Sequence, residues 1–528
     1  MSRRETARVR TLVVAVAATT LMVASAMVMG GPANGSSSGV RAGEASRLVP
    51  TKCPKELTPK AKGAKCDHLI VPENHSRPNG RHIRLTVVRV PAISKSPSST
   101  PVVYLNGGPG ADAIGFTAEL LEIGLNDNRE LIVITQRGTF GAKPMLACPE
   151  MDRFRARSLG YRSDGARNRR AARRAAAECR DRLKKHGINR ASFDTTQSAR
   201  DVVALRKLLG VRKWDVYSHS YGTDLALTYM RRFPGAIRSV VLDGTVPPSV
   251  ASLGWTWSSF RESADNIFAA CRAQRSCRKH FPNTKRTYTR LVNKLEKHPI
   301  STRVDVPDQK KPAKVLIDGT VLVNWMTRQS HFSETIPLEI DQLANGNPKP
   351  IADDWAGARA IPKLHWGGFA WGLPYSIWCS EWVQFESKRE EMKKARQAFP
   401  GFPRQVLSQA PQLTFLRDIC KAWRVPTAKK SIREVTRSKI PTLALSGTFD
   451  AQTGARWGRY AARTLSNSTV VDLPGVAHGA ASNPCGSKIV ASFYRRPLNP
   501  NVRCARDVHP KRFLTRPPGR DRSKRGQR

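Results

Sequence analysis

The residues best suited to do chemistry lie in one run, Asp215-Val216-Tyr217-Ser218-His219-Ser220-Tyr221-Gly222-Thr223. An apolar β-like run enters, a small-x-Ser-x-Gly turn follows, and a helical pattern leaves. That arrangement is a nucleophile elbow, a strained strand-to-helix turn that lifts a serine hydroxyl above the end of a sheet. Strand and helix approach closely there, so the positions two before and two after the serine must be small. Gly222 meets this requirement, and Ser218 stands where glycine is usual. The helix N-terminus behind Ser220 favours developing negative charge. His219 points elsewhere than its neighbour and reads as packing or pocket wall.

A nucleophilic serine needs a base and an acid to orient it, and with this type of turn they follow in the order Ser, acid, His. A later strand pattern, Thr442 to Leu445, ends in Ser446-Gly447-Thr448-Phe449-Asp450. Twenty-eight residues beyond Asp450 comes Gly475-Val476-Ala477-His478-Gly479. Asp450 is therefore the expected acid and His478 the expected base, with His365 a weaker rival. An oxyanion hole needs two backbone N–H donors. Tyr221, after the nucleophile, should supply one. The glycine-rich Asn106-Gly107-Gly108-Pro109-Gly110 loop should supply the other, from Gly108. No GxxxxGK[ST] follows, which argues against a phosphate loop.

The elements that must hold these groups alternate in type. Strand patterns fall at His82–Val90, Pro101–Leu105, Leu131–Thr135, Trp214–Tyr217 and Ser239–Leu242. Helical patterns fall at Ala199–Leu209 and Tyr221–Phe233, with Pro234 as a stop. Apolar strands alternating with helices predict an α/β fold with a mostly parallel sheet covered on both faces. Irregular, mainly helical sequence then intervenes before strands resume at Thr442–Leu445 and Thr469–Leu473. The expected organisation is a signal peptide or N-terminal anchor at 1–30 and a flexible leader at 31–50. The first part of the core follows at 51–249, a large cap insertion at 250–435, the C-terminal part of the core at 436–504, and a loose basic tail at 505–528.

The start of the chain carries Arg3, Arg4, Arg8 and Arg10, then an apolar stretch from Leu12 to Met29 containing Ala24-Ser25-Ala26. This is the pattern of an export signal, and it places the remainder outside the cytoplasm. Export makes disulfides the expected state of the ten cysteines. Proximity along the chain pairs Cys53–Cys66, Cys148–Cys179, Cys271–Cys277, Cys379–Cys420 and Cys485–Cys504, although sequence does not fix connectivity. No CxxC or zinc-ribbon spacing occurs, and the chemistry requires neither metal nor cofactor. The chain has 528 residues and a formal charge of +48, with 89 Lys and Arg against 41 Asp and Glu. Such a balance excludes an acidic solvating protein and predicts attraction to polyanions. Residues 167–185 hold nine Lys/Arg and two acids. No nucleic-acid module surrounds them, so loose association with anionic cell-envelope polymers is the expected partner class.

The ordered set of motifs resembles the secreted tripeptidyl aminopeptidases and proline iminopeptidases of the α/β-hydrolase fold. It comprises the Gly-Gly-Pro-Gly loop, Gln136-Arg137-Gly138-Thr139, Ser220-Tyr221-Gly222-Thr223, Val241-Leu242-Asp243-Gly244, the Gly447–Thr453 segment, and the His478 loop followed by Cys485 and Cys504. The last part resembles the C-terminal module of the tripeptidyl aminopeptidase-like subgroup. The resemblance implies a triad of Ser220, Asp450 and His478 under a cap, with Thr453 bracing the acid loop. Three departures bear on substrate range: Asn106 replaces a frequent His, Thr135 a frequent Asp, and Ser218 the usual Gly. An aminopeptidase must hold a free ammonium, which calls for a carboxylate in a partly closed cavity. Glu381, in Trp378-Cys379-Ser380-Glu381-Trp382, is the expected anchor. Trp378, with Trp366, Trp371 and Trp382, forms either pocket lining or cap core. The expected activity is release of tripeptides or single residues from peptide N-termini. Alternatives are a carboxylesterase on short acyl esters and a non-catalytic basic cell-surface binding protein. Oligomeric state is not readable.

Overall fold

The computed structural model describes residues 46–306, 311–359 and 369–517. The expected signal segment, His365 and Trp366 lie outside them. The described residues fall in one compact unit. Its frame is a nine-stranded sheet whose strands are β1 (Arg47–Thr51), β2 (Lys65–Pro72), β3 (His82–Val90), β4 (Val102–Leu105), β5 (Leu131–Ile134), β6 (Trp214–His219) and β7 (Ile237–Asp243), with β10 (Thr442–Gly447) and β11 (Ser468–Leu473) arriving after the insertion. A separate two-stranded ribbon, β8 (Ile300–Val304) with β9 (Ala313–Ile317), lies within that insertion.

Strand order across the sheet is β1-β2-β3-β5-β4-β6-β7-β10-β11. The first three strands and the β3–β5 pair run antiparallel, and every pair from β5 to β11 is parallel. The parallel strands β4, β5 and β10 are buried along their whole length. Continuous apolar runs such as Leu131-Ile-Val-Ile134 are what a sheet covered on both faces demands. Each such side chain removed from water contributes about 1.5–3 kcal/mol. The helix Thr195–Leu208 is started by Asp194, whose carboxylate accepts the Gln197 N–H. The helix Tyr221–Arg232 packs between β4, β6 and β7.

Two expectations need correction. Arg47–Thr51 is not part of a flexible leader; its backbone pairs with β2, covering that strand's outer edge. The mainly helical insertion also carries β8 and β9. The insertion packs in two ways. Leu373–Trp423 shares an apolar core with the sheet, whereas the core around Trp257, Phe260 and Trp325 is built mainly within the insertion. Finally, the tail is not loose up to residue 517. Phe513 is buried, its N–H bonds Gln274, and the Leu514 N–H bonds the Glu334 carbonyl. An aromatic ring inside a run of cations is enough to anchor it.

All ten cysteines are joined, in the pairs Cys53–Cys66, Cys148–Cys179, Cys271–Cys277, Cys379–Cys420 and Cys485–Cys504. Each contributes roughly 2–4 kcal/mol, mainly by restricting the unfolded chain. The helix Ala166–Lys185 buries Ala172, Ala175, Ala176, Cys179 and Leu183 and turns Arg170, Arg173 and Arg174 to solvent.

Candidate active site

β6 ends at His219 and the helix begins at Tyr221, so Ser220 must make the whole turn. It does so at φ 57°, ψ −129°, a conformation costly for any residue with a side chain and characteristic of functional turns. Gly222 explains why the motif is so constrained. A Cβ there would lie 2.0 Å from the Leu105 carbonyl oxygen. Ser218 is tolerated in place of glycine because its hydroxyl donates to the Val241 carbonyl at 2.6 Å and is fully buried. Gly107 has the same logic from the other side, since a Cβ would meet Ser220 Cβ at 2.7 Å. The Gly107 N–H donates to Asn106 Oδ1, while Gly108, at φ +110°, faces the cavity. Asn106 also accepts the Tyr104 hydroxyl at 2.6 Å and, through its carbonyl, Gln136 Nε2 at 2.6 Å.

Asp450 lies just beyond the end of β10 and accepts four hydrogen bonds. Oδ1 takes the Gln452 and Thr453 N–H groups, each at 2.8 Å. Oδ2 takes the Thr453 hydroxyl at 2.6 Å and lies 2.8 Å from His478 Nδ1. Thr453 Oγ1 is also 3.0 Å from Nδ1. Burial alone would raise Asp450, but the His478 imidazole and the Thr453 donors hold its carboxyl well below the usual range. Burial alone would lower His478; the Asp450 carboxylate outweighs it and raises the imidazole above 6.5. A proton fixed on Nδ1 leaves Nε2 as the basic nitrogen. Ser220 and His478 line one cavity. Among the described residues the imidazole's hydrogen bonds run to Asp450 and Thr453 and none reaches Ser220, a spacing common before substrate binds.

The Val241–Gly244 motif positions the His478 loop. Asp243 accepts the Ala480 and Ala481 N–H groups at 2.8 and 3.0 Å and the Tyr217 hydroxyl at 2.8 Å, which pins the loop beyond His478. Burial pushes its carboxyl up to about 6, against the lowering effect of those donors. Gly244 has φ +69°, and a Cβ there would meet Thr453 Oγ1 at 2.8 Å and His478 Cε1 at 3.1 Å. The helix Leu253–Ala273 clamps the acid loop from the cap side. Ser263 Oγ donates to the Phe449 carbonyl, Asn266 Nδ2 donates to that of Thr448, and Ser259 Oγ accepts the Gly454 N–H.

His219 forms pocket wall. Its ring centroid is 4.6 Å from that of His478, and burial, then the His478 charge, push it down to about 3. It is therefore neutral and no rival base.

The cavity holds about 430 Å³. Trp371, Trp378 and Trp382 line it, and Trp378 and Trp382 are also part of the buried core, so both readings of these rings hold. Glu381 does not line it. Its carboxyl lies beneath Tyr221, where Oε1 accepts the Thr195 N–H at 2.9 Å and Oε2 the Thr195 hydroxyl at 2.6 Å. Burial raises it well above the ordinary carboxyl range. It has no path to a substrate ammonium, so the expected anchor is corrected. Among the described residues no aspartate or glutamate lines the cavity, whereas Arg155, Arg328 and Arg359 do, with His331. Sequence reasoning missed these four. The one grouping of metal-ligand types among the described residues, Cys148, Glu150 and Cys179, is closed by the disulfide and by Arg182 on Glu150.

Two family profiles match: "alpha/beta hydrolase fold" over residues 100–329 and "TAP-like protein" over 408–506. The chain has the α/β-hydrolase fold, and its C-terminal part matches the TAP-like profile. Together with the sheet order and the elbow, this makes it a serine hydrolase. Serine protease Hip1 of Mycobacterium tuberculosis H37Rv is 25% identical over 444 residues, 79% of this chain and 82% of that one. The tripeptidyl aminopeptidase of Streptomyces lividans is 28% identical over 198 residues, 36% of each chain. Carboxylesterase B of Mycobacterium tuberculosis CDC 1551 is 24% identical over 474 residues, 85% of this chain and 88% of that one. Among solved structures, the proline iminopeptidase of Mycobacterium smegmatis aligns with a TM-score of 0.37 and 12% identity, covering 82% of this α/β-hydrolase and 98% of that chain.

Proposed function

We propose that this serine hydrolase is an exported exopeptidase that releases short N-terminal peptides or single residues through an acyl-enzyme. The observation that carries the chemistry is the His478–Asp450–Thr453 network, which shares one cavity with a serine held in a strained elbow. His478 Nε2 takes the Ser220 proton as Oγ attacks the scissile carbonyl. Asp450 keeps the Nδ1 proton in place and stabilises the imidazolium. The N–H groups of Tyr221 and Gly108 bind the oxyanion. His478 returns the proton to the leaving group, and water then attacks the acyl-enzyme with the same base. Peptide substrates fit the relatives named tripeptidyl aminopeptidase and serine protease. Export is supported by the sequence of the first thirty residues and by the pairing of every cysteine.

A second reading, carboxylesterase on short acyl esters, is favoured by the lack of a carboxylate along the described cavity wall. The test offers purified enzyme unblocked tripeptide amides, their N-blocked equivalents and short-chain aryl esters. Cleavage confined to unblocked amides supports the first reading, and ester turnover without amide cleavage the second. Ser220→Ala should lower either activity by at least roughly 10³-fold. Retained activity refutes the assignment of the nucleophile.

A further inference from the structure

We infer that the cap-side wall of the cavity is a carboxylate-binding subsite built on Arg155 and Arg359, so that the preferred substrate carries an acidic group away from its scissile bond. The inference rests on the serine hydrolase reading above.

Three guanidinium groups reach this cavity, and they are not equivalent. Arg328 is neutralised by an ion pair with Asp354. Arg155 and Arg359 have no ion pair with a carboxylate among the described residues. Both are held by aromatic faces instead. The Arg155 guanidinium sits 4.7 Å from the centre of the Trp371 ring, and that of Arg359 sits 3.9 Å from Trp355. Arg155 also donates to the Ala358 carbonyl at 3.3 Å, next to Arg359 in the chain. Asp152, whose charge favours that of Arg155, accepts Trp371 Nε1–H at 2.9 Å.

Stacking on tryptophan leaves the guanidinium edge, with its N–H donors, open for a planar anion. The location fits a terminal or side-chain carboxylate. Arg155 and Arg359 line the main cavity and also an adjoining recess of about 60 Å³, which neither Ser220 nor His478 lines. Asn324 and Gln412 line both spaces as well, joined by the Gln412 N–H donating to Asn324 Oδ1 at 2.6 Å. Burial first, and then repulsion from Arg155, disfavour the charge on Arg359; Asp318 opposes them and Arg328 adds a smaller repulsion. A guanidinium keeps its proton at ordinary pH, so the strain is relieved by a counter-ion rather than by deprotonation.

Two matched pairs test this. One is the 4-nitrophenyl half-ester of glutaric acid against 4-nitrophenyl butyrate. The other is a tripeptide amide carrying Glu against the same peptide carrying Gln. The acidic member of at least one pair should show a kcat/KM about tenfold or more higher, as expected for a charge-assisted contact. Which pair shows it tells whether the carboxylate belongs to a dicarboxylic half-ester or to an acidic residue. Arg155→Gln and Arg359→Gln should each bring the ratio close to one. Arg359→Lys should keep part of it, and Arg173→Gln, on the exposed face of Ala166–Lys185, should leave it as in the parent. A ratio of one or below in both pairs, or one unmoved by both glutamine variants, overturns the inference. If the parent enzyme hydrolyses no member, or Ser220→Ala retains turnover, the hydrolase reading fails instead. Binding then decides the subsite separately. Glutarate, but not glutaramide, should raise the Tm of Ser220→Ala, and adding Arg359→Gln should remove that rise. An equal response to both compounds, or one that survives Arg359→Gln, refutes the subsite.

Discussion

The two walls of the cavity are finished to different degrees. On the sheet side, Asp450 has four donors around it and Asp243 has three. Both carboxylates there have their partners before substrate arrives. On the cap side, Arg155 and Arg359 have aromatic supports but, among the described residues, no ion pair with a carboxylate. The contrast separates two tasks. Groups that meet developing charge in a transition state work best when already oriented. Groups that select a substrate work best when the substrate itself completes them.

The largest effect should come from disturbing the finished wall at its centre. Asp450→Asn is expected to lower kcat by roughly three to four orders of magnitude through the wrong imidazole tautomer, with folding intact by circular dichroism. Next is pH. Because Asp450 raises His478, kcat/KM of the parent enzyme should fall on the acid side with an apparent pKa above 6.5. In the proposed mechanism the neutral imidazole takes the proton, so activity should rise with pH through that value. In the residual activity of Asp450→Asn the acid limb should move to lower pH. A limb that stays put would separate His478 from the base. Gly244→Ala introduces a methyl group against Thr453 and His478 at a positive φ. It should cost roughly ten- to a hundredfold in kcat with little change in KM, since small displacements of a base are expensive. The smallest effect belongs to the other side. Glu381→Gln should change stability by no more than about 1 kcal/mol and leave KM for free-amine substrates as it was, because glutamine can still bond both Thr195 groups. A KM rise confined to unblocked substrates would restore Glu381 as the anchor.

Much of the sheet-side wall was legible in the sequence because its chemistry and its turns coincide. Ser220, Asp450 and His478 each follow a strand pattern, and Gly222 and Gly244 stand where backbones must touch. The cap-side wall was not. Arg155 and Arg359 are two among 89 Lys and Arg, and nothing in their neighbours marks them. Glu381 misled for a related reason. Its partner Thr195 is 186 residues away in the chain, so a carboxyl between tryptophans looked exposed to a ligand when it was sealed beneath Tyr221. β1 was hidden by its brevity and by Pro50, both usual for an edge strand. The anchored tail was hidden by a single Phe513 among cations.

The grip of the Leu253–Ala273 helix on the acid loop has a mechanical consequence. Swinging that helix outward would drag Phe449 and Gly454 with it and unseat the carboxylate between them. This part of the roof therefore works as a pillar, and any breathing that admits large molecules has to occur elsewhere around the rim. Heat or denaturant that loosens the pillar should silence turnover at the same point, making catalysis itself a sensitive gauge of that joint.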